Sequence, residues 1–298
     1  MLEKTCGGSW LMAMSEPADP FDAGCTALDE ERWADAEQLF QQALELDPSS
    51  AGAWSGLGAA YREQHQYPEA RAAYERLVML DERHYFLTML GAIQNKVGDR
   101  DAAITTLRRS LELMPDDDEA HYHLALALRA SDSAAALEHF EQACRIDPAA
   151  ASYHREMALT LYRLERFDEA LEASQRALAA DPADEFTHHG HGLIQESLGH
   201  FEAAKASHLR AADIAPSCGL FWASAARIAA RQRRDREADM LFRRGLANDE
   251  DSAVVCRQYG QFLEGRGRET IALHYLRRAV ELDPDDSQAR QALDDVEG

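Results

Sequence analysis

The chain has 298 residues, and 31 Lys plus Arg against 53 Asp plus Glu give a formal charge of −22. That balance argues against a protein that coats nucleic acid, which needs a cationic surface to release counterions, and against adsorption on anionic lipid. Apolar residues make up 46%, too many for a disordered acidic chain, and no run approaches the ~20 apolar residues of a membrane span.

In chain order, residues 1–16 carry no helical pattern and are expected to be a flexible segment, with Met1, Met12 and Met14 as possible starts. The apolar run Trp10-Leu11-Met12-Ala13-Met14 is shorter than a secretory core of ~7–15 residues, which points to a cytoplasmic protein. Cys6, Cys25, Cys144, Cys218 and Cys256 are odd in number and scattered, so they read as reduced thiols with no disulfide frame, zinc site or cofactor.

From residue 17 the chain repeats. Asp47-Pro48, Asp147-Pro148, Asp181-Pro182 and Asp283-Pro284, together with Pro115 and Pro216, are spaced by about 34 residues or multiples of it. Alignment on these markers divides the chain into eight units: 17–50, 51–83, 84–117, 118–150, 151–184, 185–218, 219–252 and 253–286. The eighth place of each unit is small (Gly24, Gly58, Gly91, Ala125, Ala158, Gly192, Ala226, Gly260). A second column is always alanine: Ala36, Ala70, Ala103, Ala136, Ala170, Ala204, Ala238 and Ala272. Small residues at fixed places on two segments are what close helix–helix contact requires. Apolar residues around them recur at helical spacing, as in Trp54, Leu57 and Tyr61, then Tyr67, Ala70, Tyr74 and Leu77. Each unit is therefore expected to be a helix, a tight turn and a second helix. Pro17 and Pro20 should delay the first helix to near Phe21, and residues 287–298 should form a capping helix on Ala289, Leu293 and Val296.

Trp54, Leu57, Gly58, Tyr61, Ala70 and Tyr74 match W-x2-L-G-x2-Y…A-x3-F, and on these residues the chain resembles the tetratricopeptide repeat family over 17–286. Ser174 and His208 depart from the pattern where it has an aromatic residue or Leu. The resemblance implies an all-α, right-handed superhelical solenoid of helix-turn-helix repeats, with a concave groove lined by first helices. It also implies a non-enzymatic scaffold or adaptor that holds a protein or peptide segment there.

The places that the family turns towards its groove fall here, in units one to three, on Phe21, Asp29, Ser55, Arg62, Glu63, Tyr85, Thr88, Asn95 and Lys96. Unit four offers Tyr122, Leu126 and Arg129. The later units offer Arg155, Leu159, Tyr162, Arg163, Phe186, His189, Leu193, Arg227, Arg231, Arg257 and Gln261, with Glu156, Glu196 and Glu264 nearby. The Arg forks suit carboxylates, and Tyr162 and Phe186 supply apolar anchors, so an extended acidic segment is the expected partner. The competing view is a set of solvated arginines on amphipathic helices. The run Arg227, Arg231, Arg233, Arg234 and Arg236 likewise reads first as a solvated face near a helix C-terminus.

His188 and His191 lie three apart and share a helix face. With Ser174 and His208 they define a polar pocket in units five and six. Satisfied core histidines are the expected reading, with no metal bound; a zinc site on His188, His191 and His208, or a pH-sensing seam, are the alternatives. A metal-dependent enzyme on these histidines and a self-assembling structural protein joined through Trp10-Leu11-Met12 are the two competing functions. No Gly-rich phosphate loop, H-E-x-x-H or G-x-S-x-G is present.

Overall fold

The computed structural model describes residues 19–297; the Trp10 segment lies outside them. The described residues form seventeen α-helices and no strand. Two compact bodies divide the chain, one ending at Leu128 and the other beginning at Arg129. The first holds α1 (Pro20–Asp29), α2 (Trp33–Leu46), α3 (Ala51–Glu63), α4 (Tyr67–Leu80), α5 (His84–Lys96), α6 (Arg100–Leu113) and α7 (Asp118–Leu128). The second holds α8 (Ser133–Ile146), α9 (Ala151–Arg163), α10 (Phe167–Ala180), α11 (Glu185–Ser197), α12 (Phe201–Ile214) and α13 (Gly219–Arg231). It continues with α14 (Asp235–Asn248), α15 (Ala253–Glu264), α16 (Glu269–Leu282) and α17 (Ser287–Glu297). As expected, α1 starts late in its unit, at Pro20, one residue before Phe21; proline fits the first helical position and Asp19 accepts from the Phe21 N–H.

All eight column alanines are 0% exposed. The five eighth-place glycines each face a large side chain of the following helix. A Cβ on Gly58 would lie 2.8 Å from the Tyr74 ring, and one on Gly260 would lie 2.7 Å from Leu276 Cγ. In seven of the eight units the turn between paired helices has a left-handed residue at the fifteenth place; in the fourth, Asp132 at φ −147° stands there. Gly98, Gly199 and Gly267 supply it, but so do Glu31, His65, Glu165 and Arg233, at φ between 57° and 60°. There the chain closes with two bonds, as when His65 N–H donates to Arg62 O and Gln66 N–H to Tyr61 O.

The Asp-Pro markers have a local cause. Each Asp Oδ1 accepts the N–H two residues on: Asp47 from Ser49 at 2.9 Å, Asp147 from Ala149 at 2.9 Å, Asp181 from Ala183 at 2.9 Å and Asp283 from Asp285 at 3.1 Å. This turn breaks one helix and aims the chain into the next. The proline carbonyl then receives a side-chain N–H from the fourth place of the next helix. Trp54 and Trp222 donate through Nε1 at 3.0 and 3.1 Å. His121, His154 and His188 take the same place on Pro115, Pro148 and Pro182, each at 3.0 Å, and Arg290 donates to Pro284. A carbonyl only accepts, so these three imidazoles carry their proton on Nε2. Where Glu82 and Glu250 replace the proline, the fourth places are Leu87 and Cys256, which offer no such donor.

The capping helix buries Ala289 and Ala292, with Leu293 and Val296 half-buried. No helix among the described residues is long and apolar enough to cross a membrane.

Candidate functional site

In the second body the first helices α9, α11, α13 and α15 carry the cationic and aromatic side chains singled out above. Several are tied to acids of a neighbouring repeat. Arg155, at the fifth place of α9, reaches the N-cap Asp184 of α11 at 2.8 Å; Arg257, at the same place of α15, reaches Asp286 before α17 at 2.8 Å. Thr88 repeats this geometry in the first body, donating to Asp117 at 3.0 Å. Burial alone would raise Asp184, yet bonds from Thr187 and Arg155 hold it below its ordinary carboxylate value. Arg129 pairs with Glu156, and Asn95 donates to the His123 carbonyl at 2.8 Å.

The outcome differs from a row of open forks. Arg155 and Arg257 each pair with a half-buried aspartate of the next repeat, Arg155 with Glu156 also within 3.5 Å, and so fasten one repeat to the next. Thr88 is 2% exposed and also bonds Ser110, so it does not face outward as expected.

A different balance holds at α13. Arg227 donates to both oxygens of Glu196, at 2.6 and 2.8 Å, and Arg231 donates to the same carboxylate at 2.7 Å. Two guanidinium groups share one acid, which leaves one positive charge in excess. These two arginines, with Gln258, Gln261, Phe262 and Arg266, line an open cleft of about 300 Å³. Arg231 also lies 4.8 Å from the Phe201 ring centroid. Gln258 and Arg266 were not singled out from the sequence, and the Gly265-Arg266-Gly267 turn that aims Arg266 was the available signal. Arg163 is exposed and has no ion pair among the described residues.

The aromatic residues singled out above differ in exposure. Phe186 is 61% exposed and meets Phe221 edge-on at 6.0 Å. Phe186, Arg155 and Leu159 line a narrow cleft with Gly190, Ser174 and His191; a Cβ on Gly190 would touch only Leu159, at 3.6 Å. Tyr162 is half-buried against Phe167. Tyr122 is half-buried on α7, in the first body.

The histidines do not form the expected pocket. His188 is spent on Pro182 O. His191 accepts from or donates to Ser174 at 2.8 Å and contacts Gln195 at 2.9 Å. His208 joins His189, Nδ1 to Nδ1, at 3.1 Å. His189 therefore turns to the second helix of its own repeat and not outward, and it packs on Phe221 at 5.1 Å. The physical reason is volume. His208 occupies the place of Phe40 and Tyr74, and Gly192 opposite it leaves room for an imidazole. Ser174 is smaller than those rings, and His191 reaches in to bond it. His188, His191 and His208 thus have three separate partners, and among the described residues no group of three or more His, Cys, Asp or Glu is placed to hold a metal.

Stacked helix hairpins with small-residue contacts and a decorated first-helix face define an all-α helical-repeat solenoid. The family model for the tetratricopeptide repeat matches residues 21–83, 96–151 and 126–185. The chain belongs to the tetratricopeptide repeat family. It is 24% identical to anaphase-promoting complex subunit 3 of Schizosaccharomyces pombe over 229 residues, which covers 70% of this chain and 34% of that one. This chain thus spans about a third of the length of that relative. Among solved structures, the Cut9–Hcn1 hetero-tetramer of the APC/C shares its fold with a TM-score of 0.64 at 15% identity, over 93% of this chain and 55% of that one. A tetratricopeptide repeat protein of Parabacteroides merdae shares it with a TM-score of 0.58 at 13% identity, over 94% and 98%.

Proposed function

We propose that this chain is a non-enzymatic protein-interaction scaffold that holds an extended, acidic segment of a partner along the first helices α9 to α15. The observation that carries this reading is the shared carboxylate of Glu196, which leaves the Arg227–Arg231 pair one positive charge over. An incoming carboxylate completes that pair with charge-assisted bonds, and exposed Phe186 gives the segment an apolar anchor. Arg155 and Arg257 serve mainly to fasten repeats, so the acid-binding role shifts from them to Arg231 and Arg227. The rest of the surface, at −22 overall, disfavours the same segment elsewhere.

The test is calorimetric titration of the full chain with a blocked ten-residue peptide of alternating Glu and Leu. Arg231→Ala is the informative change, because Arg231 is 54% exposed at its side chain and its loss leaves Arg227 on Glu196. It should weaken binding about tenfold, the equivalent of one charge-assisted bond. Phe186→Ser should weaken it several-fold, and Arg62→Ala, on α3, should leave it unchanged. Equal affinity for a Lys-for-Glu peptide, or indifference to Arg231→Ala, would sink the proposal.

A further inference from the structure

The second helices hold a cleft that the acidic-segment reading does not use. In repeat seven the fourth-place ring is Trp222. It is 1% exposed, its Nε1–H donates to Pro216 O at 3.1 Å, and the Arg244 guanidinium lies 4.0 Å from its ring centroid. Repeat five has the same frame two repeats earlier. Pro148 stands for Pro216, and Arg176 for Arg244. The ring, however, is His154, which keeps the bond to Pro148 O at 3.0 Å and lacks the second ring of an indole.

The surface beside this shorter ring is concave. An open cleft of about 820 Å³ is lined by Cys144, Arg145, His154, Met157, Arg176 and Ala179, among others. His154 is 4% exposed, and its Nδ1 is buried without a partner. Arg176 is exposed and makes no hydrogen bond or ion pair among the described residues. It holds the sequence place from which Arg244 covers an indole, and among the described residues it lies over no Phe, Tyr or Trp ring.

We propose that this cleft, on α8, α9 and α10, is a second docking site, and that it takes a tryptophan side chain of a partner protein. The molecule itself supplies the argument for that occupant. An indole under an arginine is how repeat seven fills the equivalent place. A guanidinium is attracted to an aromatic face and gains nothing comparable from a saturated side chain. The volume falls within the range of ordinary ligand pockets, so the side chain can enter with its flanking backbone. This site is built on other residues than the Glu196 cleft, and neither proposal depends on the other.

The experiment follows the Met157 methyl resonance in full-length chain with 13C-methyl methionine. The probes are acetyl-Gly-Trp-Gly-amide, the same peptide with Leu for Trp, and free indole. The Trp peptide should shift the resonance saturably and the Leu peptide should not. Arg176→Ala should weaken the Trp peptide roughly three- to tenfold. His154→Trp, which restores the repeat-seven ring, should abolish its effect. No saturable shift up to millimolar peptide, equal response to the Leu peptide, or a response to free indole with none to the Trp peptide would each overturn the proposal. So would full affinity in Arg176→Ala, which stays informative even where His154→Trp fails to fold.

Discussion

At the scale of single residues, polar groups in this fold are best understood by what they bond. His188 sits at a place where other repeats have Trp, and from the sequence alone it reads as a core residue that Leu could replace. Its Nε2–H instead closes the Pro182 turn. His188→Leu is therefore expected to destabilise the protein by about 0.5–1.5 kcal/mol, and His188→Trp to restore the bond; urea titration of the two variants decides this, and a gain in His188→Leu would contradict it. The His189–His208 pair has a different consequence. Burial, reinforced by the nearby Arg227 charge, pushes His189 down to about 4; burial, then its neighbours His189 and Arg227, push His208 down to about 3. The unfolded chain takes up protons near pH 6.5 while the folded one resists until about pH 4. Stability is thus complete above about 6.5 and falls as pH drops from there towards 4. His208→Phe puts back the ring found at Phe40. It should raise the melting temperature more at pH 5 than at pH 8, and an equal shift at both pH values would count against the pair as the source.

At the scale of elements, the pairing of helices was legible from two columns of small residues, because a close approach leaves no choice of side chain. The turn residues were only partly legible. Gly98, Gly199 and Gly267 announce a left-handed residue, whereas Glu165 and Arg233 do not; only their place in the repeat reveals it. The candidate surface was harder still. The sequence located Arg155 and Arg257 on the first helices but could not show that Asp184 and Asp286, 29 residues on, come within bonding distance. For the same reason it could not show that Glu196 serves two arginines. These ties can be measured. Arg257→Ala should cost about 1 kcal/mol, as expected for a half-screened pair that also supports a helix cap, and should speed hydrogen exchange in α17 first. Burial would raise Asp286, but the Ala289 N–H and Arg257 hold it below 3.8. The tie is therefore present above that pH and weakens as pH falls through the lower folded value. An additive double variant with Asp286→Ala would show that the two do not act together.

At the scale of the whole molecule, stability in a stack of repeats is a sum of local contacts between neighbours. Ala70 is 0% exposed where α3 and α4 meet, so Ala70→Leu should overpack that contact by about 1–3 kcal/mol. The damage should stay near α3 and α4, leaving hydrogen-exchange protection in α13 to α16 unchanged. Uniform loss from end to end would contradict the repeat model. The acidic balance acts on the same scale and in another way. At −22 the molecule repels anionic partners at long range, so the binding proposed for α13 would rest on short contacts, and added salt should weaken it only in part.

The pairing of a closing proline with a ring N–H six residues later works as a junction code. Trp54, His121, His154, His188 and Trp222 all present the same connector, so this bond is the same at the five segments they begin. A stretch cut between two such connectors could be duplicated, deleted or moved without leaving an orphaned carbonyl. The Glu82–Leu87 and Glu250–Cys256 junctions lack the connector. As far as this one bond goes, exchange of repeats meets no obstacle at those five junctions, and the two others would each lose nothing by it.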